Sequence, residues 1–465
     1  MDARVSADGF GQIHFAEVAL GDRRRSKRLV ALANRIMEHP EGSWPTKLSD
    51  PADLDAFYRL VNRPETTHAA VLAPHRAWTL ARMRDQTDVV LILHDTTELD
   101  YSGLESIALA PIGNGHGRGY LCHNSLAVTA VGEVLGLINQ ILFRRPRSSK
   151  REKKRDRARR RDRESRLWKR GSAAIPAASA GQLWVDVADR GADLTEFLAY
   201  EIAAGKHFVV RSKANRKVVF DAEKPGPSKL HDLVRELPEQ GRRSLHVPAG
   251  QGRSARDTEI AVAFVKLQIV PPRQARGEHD RELLTVWTVR VWEPNPPVGV
   301  EPVEWLLLSN VPVNDLTEAW RSVDWYKRRW ILEEYHKSLK SGCSIEEMQF
   351  TTEEALQPAI ALLSVIALGL LWLRQVSRTP EAHIRRASER FPLALIATLA
   401  TWRWQTPRTD LTIHEFCFAL ARLGGHQNRK NDHPPGWLVL WRGWTKLQWL
   451  TAGASAALAQ RCGET

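Results

Sequence analysis

Between His207 and Asn310 the chain reads almost entirely as β-strand. The runs His207–Arg211, Val218–Phe220, Leu245–Val247, Glu259–Val270, Leu283–Trp292 and Trp305–Ser309 are short, rich in β-branched and aromatic residues, and punctuated by Pro and Gly clusters. Ahead of them, Gly181 to Asp189 reads as a strand that ends on an aspartate. Asp193 with Glu196 has the pattern of a capping box opening a helix from Leu194 to Ala204, which Gly205 closes. Behind them comes a long helical segment. A β-rich insertion, about 207–310, therefore interrupts an αβ unit, and the fold class is mixed α/β.

The earlier strand is Val89 to Leu93, which runs into His94-Asp95-Thr-Thr-Glu98-Leu-Asp100. A strand that presents an aspartate at its carboxyl tip offers a metal ligand from a rigid element. Asp95 and Asp189 take that position, whereas Asp186 is mid-strand and Asp193 reads as a cap. Glu98 and Asp100 compete with Asp95 but fall past the expected strand end. Leu126 to Val131 and Val134 to Leu142 form an expected hairpin around Gly132-Glu133. The glycine-rich loop Gly113 to Gly119 matches no phosphate-cradling pattern, so no nucleotide is assigned to it.

Tyr326, Arg329, Glu333 and Lys340 are spaced three, four and seven positions apart. At about 100° per residue these steps return to nearly the same angle, so one helix would carry all four on one face. A carboxylate there suits a hard divalent cation, and the guanidinium and ammonium suit phosphate oxygens. With Asp95 and Asp189, Glu333 completes three acids. Two Mg²⁺ ions about 3.5–4 Å apart, held by such carboxylates, serve in-line displacement at phosphorus. The same spacing also occurs on ordinary solvated helix faces with weak ion pairs.

Charge supplies the context. The 465 residues carry 67 Lys+Arg against 54 Asp+Glu, a net +13, which favours a polyanionic partner such as nucleic acid over a membrane. Arg23, Arg24, Arg25, Lys27, Arg28 and Arg35 crowd a helical segment whose Leu29, Leu32, Ala33 and Ile36 repeat at helical spacing. A second helix is expected at Ala52 to Val61. From Arg144 to Arg170 the chain is a charge tract, readable as a solvated loop or as a segment that orders on DNA. The four cysteines are scattered without a C-x-x-C pair, which disfavours a zinc site or disulfide framework. The opening residues lack an apolar signal core. The longest apolar run, Pro358 to Leu373, falls short of the ~20 residues that span a bilayer and reads as a buried helix of a soluble protein. The last ninety or so residues look helical, with tryptophans at 402, 404, 437, 441, 444 and 449 that suit either a core or a partner surface.

Several stretches, in order along nearly the whole chain, are similar to one family. They are Ala19-Leu-Gly-Asp-Arg-Arg-Arg-Ser-Lys-Arg-Leu-Val30, Asp95-Thr-Thr-Glu-Leu-Asp-Tyr101, Asp189-Arg-Gly-Ala-Asp193, Phe208-Val-Val-Arg-Ser-Lys213, Trp305-Leu-Leu-Leu-Ser309, the Tyr326/Arg329/Glu333/Lys340 signature and Ala419-Leu-Ala-Arg-Leu-Gly-Gly425. The chain resembles the DDE transposases of the insertion-sequence-four family, most closely the transposon-five type. That resemblance implies an RNase H-like mixed-sheet catalytic domain with a β-rich insertion, flanked by helical N- and C-terminal domains. Asp95, Asp189 and Glu333 match the metal-binding triad. Tyr326, Arg329 and Lys340 match residues that grip transposon-end phosphates, and Arg211 matches a phosphate-contacting arginine. Trp305 matches a tryptophan that stacks a flipped base; on the residues alone it would be core. The amino-terminal helices would bind terminal repeats, implicating Arg24 and Arg28. The basic tract is a departure: the corresponding segment of the transposon-five member it resembles is acidic.

The expectation is a cut-and-paste transposase using two Mg²⁺ ions, with Mn²⁺ as a substitute. Its partners are double-stranded DNA with terminal inverted repeats, target DNA, and a second copy in a synaptic dimer, with no membrane. The expected domains are 1–75 for repeat binding, 76–375 for catalysis and 376–465 for dimerisation, in a bacterial cytoplasm close to the nucleoid. A nuclease that cuts without integrating, and an inactive DNA-binding regulator, are the alternatives.

Overall fold

The computed structural model describes residues 7–146, 160, 162–220, 228–247, 255–272, 282–427, 429, 432 and 434–463. Most of the basic tract, 147–159 and 161, lies outside the described residues, so neither reading of it is addressed.

The N-terminal part is helical: Ala7–Phe15, Arg23–Glu38, Trp44–Lys47, Pro51–Val61 and His68–Arg84. Asp22 caps the second helix by accepting the Arg24 N–H at 2.8 Å. Its expected apolar stripe, Leu29, Leu32, Ala33 and Ile36, is fully buried, and the arginines between point outward. An amphipathic repeat at helical spacing produces this division without further help.

Among the described residues, twelve strands form one sheet. They are β1 Val90–Asp100, β2 Ala110–Ile112, β3 Gly117–Thr129, β4 Val134–Phe143, β5 Trp184–Ala188, β6 His207–Arg211, β7 Lys217–Val219, β8 Ser228–Lys229, β9 Gly241–Val247, β10 Arg256–Ile269, β11 Leu284–Trp292 and β12 Glu304–Ser309. The order is β2-β3-β1-β5-β6-β12-β11-β10-β7-β8, with β4 on β3 and β9 on β10. β1, β5 and β6 are parallel, and every other described pairing is antiparallel. The β3–β4 hairpin turns at Gly132, whose φ of 96° is one that a side chain rarely adopts. The β-rich stretch between Asp189 and Glu333 is continuous with this sheet, because β12 returns to pair antiparallel with β6.

The apolar run forms the centre of the helix Glu353–Arg378. By length and composition this helix is able to cross a membrane, yet it is buried inside the protein. Phe10 and Met37 from the N-terminal helices pack on it, with the Phe10 and Trp372 rings 6.4 Å apart. The helix Trp437–Gly463 covers another side. Each fully buried Leu or Ile contributes on the order of 1.5–3 kcal/mol, so this helix is a large share of the core. The tail's tryptophans divide: Trp437, Trp441 and Trp444 are core, while Trp402, Trp404 and Trp449 keep exposed surface. The boundaries expected near 75 and 375 fall inside His68–Arg84 and Glu353–Arg378, and one hydrophobic core runs from Phe10 to Leu447.

Candidate active site

β1 does not end at Leu93 as its apolar run suggested. It continues to Asp100 because β3 pairs with it throughout. Its parallel partner β5 stops earlier, at the rung His94–Ala188. Asp95 is thus the first residue of β1 beyond the parallel sheet, and Asp189 is the first residue after β5. Ending the parallel pairing there puts both aspartates at one edge. Strand alternation places Glu98 and Asp100 on the opposite face from Asp95. They are already engaged: Glu98 accepts the Gly113 N–H at 2.7 Å, and Asp100 closes the turn at Ser102. Both are within the strand, which corrects their expected position past its end.

Asp189 accepts the Gly191 N–H at 2.7 Å and caps a single 3₁₀ turn. Asp193 is not the helix cap that its spacing suggested. Its buried carboxylate accepts the Lys213 and Ala214 N–H groups at 2.6 and 2.9 Å and pairs with Arg216. Leu194 takes the cap position, and Glu196 pairs with Arg163 and Arg166. Tertiary partners outcompete the local cap because they satisfy a carboxylate that is otherwise buried without partners.

The signature is not one uninterrupted helix. Leu316–Lys327 ends at Tyr326-Lys327, a tightened turn follows, Trp330–Lys337 is the next helix, and Ser338–Gly342 is a π-helical turn. In the tight turn Arg329 N–H bonds Tyr326 O at 3.1 Å and Leu332 N–H bonds Arg329 O at 3.0 Å. Arg329 donates to Glu333 Oε1 at 2.6 Å, and its other guanidinium nitrogen lies 3.5 Å from Asp95 Oδ2. Lys340, displaced by the π turn, instead meets Glu346 at 2.9 Å. Tyr326 is buried, with its ring 5.6 Å from that of Trp305 at an edge-to-face tilt. Trp305 is half-buried on β12. Arg211, at the end of β6, donates to the Glu304 carbonyl beside it at 3.0 Å.

Three groupings result. Asp95, Asp189, Glu333 and Arg329 converge; Tyr326 faces Arg329 and joins it to Trp305 and Arg211; Lys340 and Glu346 form a separate pair. Burial and the neighbouring Asp189 push the Asp95 carboxyl up to about 6, and Glu333 adds to this. Such mutual repulsion is what a shared cation would relieve, and the donors are the hard oxygens that Mg²⁺ accepts. The residues therefore fit a divalent ion, with Asp95, Asp189 and Glu333 as its holders. Among the described residues, however, no three acids, histidines or cysteines are already gathered tightly enough to hold a metal ion. Arg24 and Arg28 are remote from this cluster, on the outer face of Arg23–Glu38, paired with Asp22 and Asp53.

Three supporting residues were missed in the sequence. Asn124 stands directly opposite Asp95 on β3, and its side-chain amide meets His336 at 3.1 Å, one turn past Glu333. Burial, with Lys340 and Arg329 nearby, holds His336 down to about 3, so it stays neutral. The i, i+3 step from Glu333 was the available signal. Glu346, which also accepts the Asp100 N–H at 2.8 Å, had none.

Two stretches of the chain match known family models. Residues 8–66 match the family model of a transposase DNA-binding domain, and residues 185–370 match that of a transposase DDE domain. Such DDE domains generally use divalent metals. The second match contains Asp189 and Glu333; Asp95 lies before it and is brought to them by the β1–β5 pairing. The chain thus has the two parts of a DNA-binding DDE transposase, in a mixed α/β fold with helical ends that is consistent with an RNase H-like one.

Proposed function

We propose that this protein is a cut-and-paste transposase of the transposon-five type, with Asp95, Asp189 and Glu333 as its acidic triad. The observation that carries this reading is their convergence at the end of the parallel strands, with Arg329 between two of them. Two bound Mg²⁺ ions would supply activation of the attacking oxygen and stabilisation of the leaving one. The three carboxylates would hold the ions, and Arg329 would orient the phosphate. In the first step water attacks the end phosphodiester and a 3′-hydroxyl leaves. That hydroxyl then attacks the opposite strand, displacing the flanking DNA and leaving a hairpin. Hydrolysis reopens the hairpin, and the 3′-hydroxyl joins target DNA. Trp305, half-exposed against Tyr326, would stack the unpaired base, worth roughly 1–3 kcal/mol. Arg211, close by, and Lys340 would hold backbone phosphates. The N-terminal helices would grip terminal repeats through residues such as Arg24 and Arg28. The exposed tryptophans of the C-terminal helices would serve a synaptic dimer.

The test uses DNA carrying the inverted repeats that flank the gene, with Mg²⁺, comparing the native protein and Glu333→Ala. Cleavage with a hairpin by the native protein, and none by a variant that still binds, is the expected result. Equal cutting by both removes Glu333 from the site. Cutting without strand transfer makes the protein a nuclease, and binding without cutting by either makes it a regulator.

A further inference from the structure

Arg329 occupies the space between two of the three acids. Its side chain is 18% exposed, and it lies 2.6 Å from Glu333 and 3.5 Å from Asp95. Among the described residues it is the cation paired with the triad; Lys340 is taken by Glu346. The groups facing it are Asp95 from β1, Tyr326 from the preceding helix and Glu333 from its own, with His336 close behind. A planar guanidinium bridges two carboxylates well, and it binds a phosphate as well or better. A divalent ion and this guanidinium cannot share the same carboxylate oxygens without strong repulsion.

Resting on the transposase reading, we infer that Arg329 is a latch on the metal site. In the DNA-free chain it stands where a divalent cation would be held. A backbone phosphate of the DNA end draws it away and releases Asp95 and Glu333. Cation and DNA end then bind cooperatively, which withholds a complete hydrolytic site from a chain that has not found its end. The two effects are reciprocal, since each ligand must favour the other by the same factor. The tight turn at Arg329 suits the device: backbone bonds to Tyr326 and Leu332 hold its main chain, so a change of partner needs only side-chain rotation.

The experiment titrates Mn²⁺ into the full chain without DNA, at fixed pH and ionic strength, counting bound ions by electron paramagnetic resonance. Native protein is compared with Arg329→Gln, Arg329→Lys and Glu333→Gln, each checked for native unfolding temperature. Breaking the bridge is expected to tighten Mn²⁺ binding about tenfold in both arginine variants, within the usual 5–150-fold range of site coupling. The lysine variant keeps the charge but loses the fork. A gain in Gln alone is therefore a simple charge effect and overturns the latch, as does no gain in either. Adding an inverted-repeat duplex should tighten Mn²⁺ binding to the native chain more than to Arg329→Gln; equal tightening also overturns it. If Glu333→Gln changes Mn²⁺ binding in no state, the ion is elsewhere and the transposase reading falls with the latch.

Discussion

The strands β1 and β5 carry acids on both of their faces, and the two sets have opposite characters. On one face Asp95 and Asp189 keep some exposure, and Asp95 has Arg329 3.5 Å away. On the other, Asp186 lies 3.3 Å from His94 Nε2, whose Nδ1 meets Ser125 at 3.0 Å. Glu201 is sealed beneath, and Lys206 is locked by Ser172 and Ile175. Burial works against the charge of Asp186, but His94 holds its carboxyl below the usual range, while Glu201 is pushed well up by burial and then by Asp186. The helix Leu167–Ala173 closes this second layer so tightly that a Cβ at Gly171 would lie 2.4 Å from His123 Nε2. Acids that must exchange ligands keep access and an imperfect partner, and acids that hold strands together are sealed.

The sharpest break of this contrast is on the open face. Asp189→Asn and Asp95→Asn should each lower end cleavage by on the order of 10²–10³-fold, the scale of losing one preorganised charge-stabilising group. Their unfolding midpoints in urea should not fall below the native one. A variant that unfolds early would move that acid to the structural set. On the sealed face the order reverses. Asp186→Ala removes the partner of His94 and should cost about 3 kcal/mol of stability, the lower end for breaking a buried ion pair. Folded Asp186→Ala should still cleave; loss of cleavage at native stability would make Asp186 part of the chemistry.

Much of this contrast was legible in the residues, and what was missed has a physical pattern. Strand runs, Asp189 at its strand end and the buried stripe of Arg23–Glu38 follow from local periodicity, whereas Asp95 lies inside β1, where only the parallel pairing ends. The extent of β1 was missed because His94 to Asp100 is polar, and only pairing with β3 makes it a strand. The Asp193 cap failed because Arg216 and two backbone N–H groups from a distant loop bind the carboxylate better than its own helix does. Lys340 fell away from Arg329 and Glu333 because one π turn rotates the register, which residue counting at about 100° per step cannot see. The His94–Asp186 layer needs parallel pairing across sequence-distant strands, so no window of sequence contains it.

Acid titration should sharpen the comparison with a smaller effect. Burial holds His75 and His336 down to about 3, against an ordinary 6.5. The unfolded chain takes up protons that the folded chain refuses. Stability present above pH 6.5 is therefore lost as pH falls towards 3, by up to about 1.4 kcal/mol per pH unit per histidine. Asp95 works in the other direction, since its folded value of about 6 exceeds the ordinary 3.8. Its contribution is present below pH 3.8 and is lost as pH rises through 6. Asp95→Asn removes that opposing term, so it should be relatively more stable at pH 7 and lose stability more steeply between pH 6 and 4. Urea unfolding at several pH values measures both. Parallel curves for native and variant would mean that the open face feels no repulsion.

The smallest effect belongs to the outer face of the Arg23–Glu38 helix. Arg24 has a side chain 92% exposed and a local partner in Asp22, and Arg28 is paired at 3.5 Å with Asp53. Exposed pairs of this kind contribute ~0–1 kcal/mol, so Arg24→Ala and Arg28→Ala should leave unfolding unchanged. If these side chains contact end-DNA phosphates, each loss should weaken end binding and lower the salt slope of log K by about 1, without altering the catalytic step on saturating DNA. A gel-shift series across salt concentrations reads the slope, and single-turnover cleavage reads the step. A variant with an unchanged slope puts its arginine off the DNA path. One that slows the step itself would connect the N-terminal helices to the Asp95 site through the core they share with the Glu353–Arg378 helix.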